Sequence, residues 1–209
     1  MDVPGIHAIS EQGRCFCDKP SDRISFPPEG IGSPCGMSVT FYSEWNIEHA
    51  EAYRVLGQFF LSPPDEDALR AIRQDFGLDF QESADEITKE FNELFHFPHG
   101  RLIPLESLFT PVNAFGLPDV ESIYAGADLA LDDAYGMAPD HLTVEFLFMS
   151  YLIERGDAER EKKFLEQHLM NWIPYYCEEV MKQARTLFYR EIARMTKDFL
   201  ISEQEEYAA

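Results

Sequence analysis

Between Leu142 and Ile153 the chain is apolar almost without interruption: Leu142, Val144, Phe146, Leu147, Phe148, Met149, Tyr151, Leu152 and Ile153, broken only by Thr143, Glu145 and Ser150. The run is too short to cross a bilayer, which takes ~20 residues, and too long for an ordinary buried strand. It predicts a helix with no polar face, and such a helix needs other elements packed around it on every side. The remainder of the chain must therefore supply a coat of amphipathic helices.

The flanking sequence has that character. Trp45, Ile47, Tyr53, Leu56, Phe59, Phe60 and Leu61 recur at helical spacing across 40–61, and Ser62-Pro63-Pro64 stops the pattern. A short helix follows from Asp65 to Phe76, closed by Gly77. Ser83-x-x-Glu86 is a capping box for a helix running to about Phe97, with Ile87, Phe91, Leu94 and Phe95 on one face. Residues 98–118 read as a long Pro/Gly loop, and Asp119 to about Leu131 as helix again. Asp140 stands where the N-cap of the apolar helix belongs, and Gly156 ends that helix. Asp157 opens the next, and two more run from about Trp172 to Leu200. Strand-like alternation of convincing length is absent. The expected fold is all-α: one domain over 37–202 of roughly eight to ten helices, with the Pro/Gly loop joining halves 37–118 and 119–202, and an acidic tail, 203–209, that frays.

Residues 1–36 differ from the rest. They hold five of the 12 glycines, five of the 13 prolines and three of the four cysteines, without hydrophobic periodicity. This composition predicts a disordered extension and makes Met37 a candidate native start. Cys15-x-Cys17 and Cys35 lack a second pair at zinc-ligand spacing.

Charge narrows the partners. With 38 acidic against 17 basic residues, a formal net of -21, the chain repels nucleic-acid phosphate and anionic membranes and either favours basic partners or simply keeps itself soluble. No membrane-spanning run, no secretory signal pattern and no disulfide framework are present. By elimination the expected address is cytoplasmic, with no stable membrane insertion.

Chemical constellations are sparse. Di-iron bundles need two Glu-x-x-His pairs, whereas only Glu93-x-x-His96 has that spacing. His141 and Glu145 lie four apart and so share a helix face. They suit a metal or an acid-base pair, or else His141 caps or hydrogen-bonds within the loop while Glu145 pairs with a buried polar group such as an arginine. No phosphate-cradling glycine loop or nucleophile elbow occurs, so no metal and no cofactor is expected, with GTP kept as the alternative ligand. Cys177 reads as a packed thiol.

Several stretches, in order, resemble the TorD/DmsD family of chaperones. They are Glu90-Phe91-x-x-Leu94-Phe95; Pro104-x-Glu106-Ser107-x-Phe109; Tyr124-x-x-Ala127-x-Leu129; and Pro139-Asp140-His141-Leu142-x-x-Glu145-Phe146-x-Phe148-Met149. Phe164-Leu165-x-x-His168-Leu169-x-x-Trp172-x-Pro174 and Thr186-x-Phe188-Tyr189 complete the set. Together they span about Glu48 to Leu200. His96-Phe97-Pro98 stands where the family commonly has a Gly-Pro pair, which bears on partner identity.

The resemblance implies an all-helical cytoplasmic chaperone, monomeric or a domain-swapped dimer. Its partner would be a molybdopterin oxidoreductase precursor with a twin-arginine leader, bound as signal peptide or apo-enzyme. A twin-arginine signal joins a basic segment to a moderately apolar one, so its receptor needs an apolar groove edged by carboxylates. Phe91, Leu94, Phe95, Leu105 and Phe109 are the candidates for the groove. Asp140, Glu106 and Glu145 are the candidates for the acid, around Pro139 and His141. The competing readings are a nucleotide- or metal-binding enzyme using His141 and Glu145, and a helical assembly subunit with no peptide site.

Overall fold

The computed structural model describes residues 6–8, 39–75, 77–110, 119–131 and 136–208. Its helices are α1 (Val39–Leu61), α2 (Glu66–Asp75), α3 (Ala84–Leu94), α4 (Glu106–Phe109), α5 (Val120–Gly126), α6 (Leu142–Arg155), α7 (Ala158–Phe164), α8 (Met170–Gln183) and α9 (Leu187–Ala208). The all-α expectation holds in its main point. Among the described residues no helix is long and apolar enough to cross a membrane.

The apolar run is α6, and it is central: Leu142, Phe146, Phe148 and Met149 are fully buried. Its three polar interruptions each tie it to a neighbour. Thr143 Oγ1 donates to the Gly57 carbonyl of α1 at 2.8 Å. Ser150 Oγ accepts from Arg54 of α1, whose guanidinium also reaches Glu154 at 2.7 Å. Glu145 accepts from Trp172 of α8. The two helices pack closely at Gly57, where a Cβ would sit in van der Waals contact with Phe146 Cβ at 3.4 Å and Thr143 Cα at 3.5 Å. Tyr53 meets Phe146 edge-on beside it, centroids 5.2 Å apart.

On the other side α8 packs along α9, burying Trp172, Ile173, Tyr176, Phe188, Tyr189 and Ile192. Full burial of each such side chain contributes about 1.5–3 kcal/mol. The start of α9 is fixed from α3: the Glu90 carboxylate accepts from the Arg185 and Thr186 N–H groups at 2.5 and 2.7 Å, where a negative charge suits unpaired helix donors. The capping box at Ser83 and Glu86 forms as expected.

Five boundaries differ from the sequence expectation. Helix α3 stops at Leu94, not near Phe97, because the chain turns back with Leu102 N–H bonded to the Leu94 carbonyl. Gly100 permits the turn, since a Cβ there would lie 2.6 Å from that same carbonyl oxygen. The Pro/Gly stretch contains a helical turn, α4. Helix α5 ends at Gly126 rather than Leu131. Asp128 takes a positive φ of 60°, and Leu129–Leu131 forms a strand, β2, antiparallel to Ile6–Ala8 (β1), with Ile6 opposite Leu131. Three residues are too few for alternation to show in a sequence. Helices α7 and α8 join without a break through a π-helical turn, Leu165–Leu169. Finally α9 runs to Ala208: Tyr207 donates to Glu161 at 2.6 Å and Glu203 is buried, so packing holds an end that composition alone would let fray. Apart from 6–8, the extension with Cys15, Cys17, Cys35 and Met37 lies outside the described residues.

Candidate functional site

The Pro139-Asp140-His141 segment is one half of a clamp whose other half is Pro104–Ser107. Leu105 and His141 form an antiparallel bridge. Glu106 N–H donates to the Asp140 carbonyl at 2.9 Å and Leu142 N–H to the Pro104 carbonyl at 3.0 Å. Buried Tyr124 adds a third support, its hydroxyl donating to the Pro139 carbonyl at 3.0 Å.

Asp140 is not the N-cap of α6. Its carboxylate accepts the Ser107 N–H at 3.0 Å and so caps the short α4, whose own N-cap residue, Leu105, has no side chain for the task. The N-cap of α6 is His141, whose Nδ1 accepts from Thr143 N–H at 3.2 Å. Burial holds the His141 pKa down at about 4, against a weaker opposing pull from Asp140. The ring is therefore neutral near pH 7, and Nδ1 is free to accept.

Behind the clamp lies a buried polar cluster. Glu145 Oε2 accepts from Trp172 Nε1 at 3.0 Å, so the buried polar partner expected for it is an indole. Oε1 has no partner among the described residues. Burial raises the Glu145 pKa well above the ordinary carboxylate range, Glu106 and Asp140 push the same way, and the indole only partly offsets them. His168 Nδ1 lies 3.2 and 3.3 Å from the two oxygens of Glu106. The π-helical turn places His168 and its neighbours here, since its wider turn shifts the side chains that follow. Phe109 of α4 stacks on Trp172 and meets Tyr176 edge-on, at 6.3 and 4.9 Å. His141 and Glu145 thus each have a hydrogen-bond partner of their own, Thr143 N–H and the Trp172 indole.

In front of the clamp a cleft of about 330 Å³ opens between α1, α3 and the two clamp strands. Phe91, Phe95, Leu105 and His141 line it, as do Phe97 and Met137. Of the ten residues singled out from sequence, these four share the cleft. Leu94 is fully buried in the core, Phe109 packs on α8, and Pro139 and Asp140 shape the loop beside the cleft. Glu106 and Glu145 are turned inward, so neither edges the groove as expected. Phe97, 70% exposed at the cleft, is a lining residue that the sequence did not single out.

Two other groups have ligand chemistry. His49, Glu203 and Glu206 bring one ligand atom each to within 4.8 Å of one another. Their arrangement already contains a His49–Glu203 ion pair of 2.7 Å, with Tyr53 also donating to Glu203. Cys177 is fully buried, which pushes its thiol far above its ordinary range and fits a packing role.

A model of the family described as the nitrate reductase delta subunit matches residues 60–178, more than half of the chain. The chain belongs to the nitrate reductase delta subunit family. This is the NarJ/TorD type of redox-enzyme maturation chaperone, whose general role is in molybdoenzyme assembly. The matched span holds both strands of the clamp, the Phe91–Phe95 wall of the cleft, Glu145 and Trp172. No curated protein matches the chain.

Proposed function

We propose that this protein is a cytoplasmic chaperone for a molybdopterin-containing oxidoreductase. It binds the enzyme's twin-arginine signal peptide, or its apo form, assists cofactor insertion and holds back export until assembly is complete. The observation that carries the proposal is the cleft in front of the Pro139–Leu142 clamp, an apolar groove with Phe97 left exposed at its edge. An aromatic so exposed beside an apolar groove marks an interaction surface. The cleft takes the moderately apolar part of a signal peptide. With Glu106 and Glu145 turned inward, the arginines are drawn chiefly by the field of a chain carrying a net -21.

The test is calorimetry of the full chain with a synthetic twin-arginine signal peptide. Binding is expected to weaken when both arginines become alanine and when salt is added, because the attraction is long-range and screened. The Phe97→Ser variant is expected to bind more weakly at any salt. No affinity for any twin-arginine peptide or molybdoenzyme precursor overturns the proposal.

A further inference from the structure

A second pocket, of about 300 Å³, lies between α5 and the α7–π-turn segment and shares no lining residue with the cleft. Its chemistry is out of keeping with the rest of the molecule. In a chain with more than two acidic residues for every basic one, Arg160 and Lys163 stand together on its wall, with Gln167 beside them. Arg160, Lys163, Phe164, Gln167 and His168 all line it, so two cations, an amide, a phenyl ring and an imidazole border the same space.

The groups differ in how far they are already engaged. Arg160 is held by Asp157 at 2.5 Å and by the Gly126 carbonyl at 3.1 Å, and its side chain lines this pocket and the neighbouring one that Asp157 also lines. Lys163 has no ion-pair or hydrogen-bond partner among the described residues. His168 is 2% exposed, with its ring stacked on Phe164 at 5.2 Å. Its Nδ1 is turned to Glu106, and since a carboxylate only accepts, that nitrogen carries the hydrogen. Nε2 is left as the polar atom this ring can offer to the pocket it lines, and it has no partner among the described residues. A buried, unpartnered ring nitrogen is costly unless a ligand or water meets it.

We propose that this pocket is a binding site for a phosphate group, free or carried by a small molecule. Lys163 and Arg160 supply the positive charge, and Gln167 supplies an amide donor. Nε2, the ring nitrogen left without the hydrogen, accepts from a protonated phosphate oxygen. Phosphate esters carry both kinds of oxygen near neutral pH, their second pKa being about 6. Sulfate, fully ionised, has no hydrogen to donate to that nitrogen. Phe164 and Ile123 give an apolar wall for the body of a phosphate monoester. The volume stands at the small end of ligand pockets.

The experiment is titration of the full chain at constant ionic strength with inorganic phosphate, phenyl phosphate and sulfate, read by calorimetry and by the ¹⁵N shift of the His168 ring. Saturable binding of phosphate or phenyl phosphate is expected, with Nε2 of His168 shifting and sulfate binding more weakly. Tighter binding of phenyl phosphate identifies a monoester as the ligand, and equal binding identifies the free ion. Lys163→Glu, at an exposed position and with an unchanged melting temperature, is expected to weaken binding roughly tenfold or more. Gln167→Ala, as a second variant, is expected to weaken it less. Two results overturn the proposal: no saturation by either phosphate at millimolar concentration, or an affinity that Lys163→Glu and Gln167→Ala both leave unchanged. Neither depends on whether a twin-arginine peptide binds, so the two proposals fail separately.

Discussion

Glu145 is a fully buried carboxyl group with one hydrogen-bond donor, and its environment favours the neutral acid. Its folded-state pKa lies above the unfolded value near 4.5. The unfolded chain therefore loses this proton first as pH rises, and the stability tied to it, complete below about pH 4.5, is lost as pH climbs toward the folded-state value. Glu145→Gln removes that dependence, so the variant is expected to gain on the parent between pH 5 and pH 8, by on the order of 1 kcal/mol. Urea unfolding at the two pH values reads the difference, and parallel curves would refute the assignment. His141 acts in the opposite direction. Its folded pKa of about 4 lies below the ordinary 6.5, so its contribution is present above pH 6.5 and lost as pH falls toward 4. His141→Asn keeps an N-cap acceptor and is expected to flatten the acid side of the stability profile.

At the scale of elements, the decisive object is α4, a single turn too short to be stable by itself. It is held at its start by Asp140 from across the clamp and along its length by Glu106 on His168 and Phe109 on Trp172. Asp140→Ala should release the Ser107 N–H and cost about 1 kcal/mol, while Asp140→Asn keeps the acceptor. Amide exchange at Ser107 is expected to speed up in the alanine variant and to change little in the asparagine one. Peptide affinity separates the two roles: a loss with asparagine means that the charge itself attracts the client, and a loss with alanine alone means that the clamp must be rigid. The sequence expectation placed Asp140 on α6 because the spacing is right for a cap. Which helix received the cap depended on Pro104–Ser107 crossing over it, a contact between segments more than thirty residues apart.

For the whole molecule, the same aromatic chemistry serves two ends. Phe95 is 4% exposed and meets Phe60, Phe91 and Tyr189; Phe97, two residues on, is 70% exposed. Phe95→Ala is expected to lower stability by about 3–5 kcal/mol through the cavity it leaves. Phe97→Ser is expected to leave the melting temperature within a degree or two while weakening peptide binding, since exposed substitutions rarely exceed about 0.5 kcal/mol. Thermal melts beside calorimetry test the pair; a large stability loss at Phe97 would place it in the core and remove it from the site.

Sequence by itself determined the helical class and the central place of the Leu142–Ile153 run, because the 3.6-residue period and an all-round apolar surface are local properties of the chain. It also marked each half of the clamp as a short motif, Pro104-x-Glu106 and Pro139-Asp140-His141, while their pairing came from the fold. The tertiary structure decided what each polar group does there: that Asp140 caps α4, that Trp172 rather than an arginine meets Glu145, that Glu106 turns inward to His168, and that Phe97 stays in water. These are contacts between segments distant along the chain, and they depend on packing orientation. Even the three polar residues that interrupt the opening run became legible only then, as Thr143, Glu145 and Ser150 proved to be the points at which α1 and α8 grip the central helix.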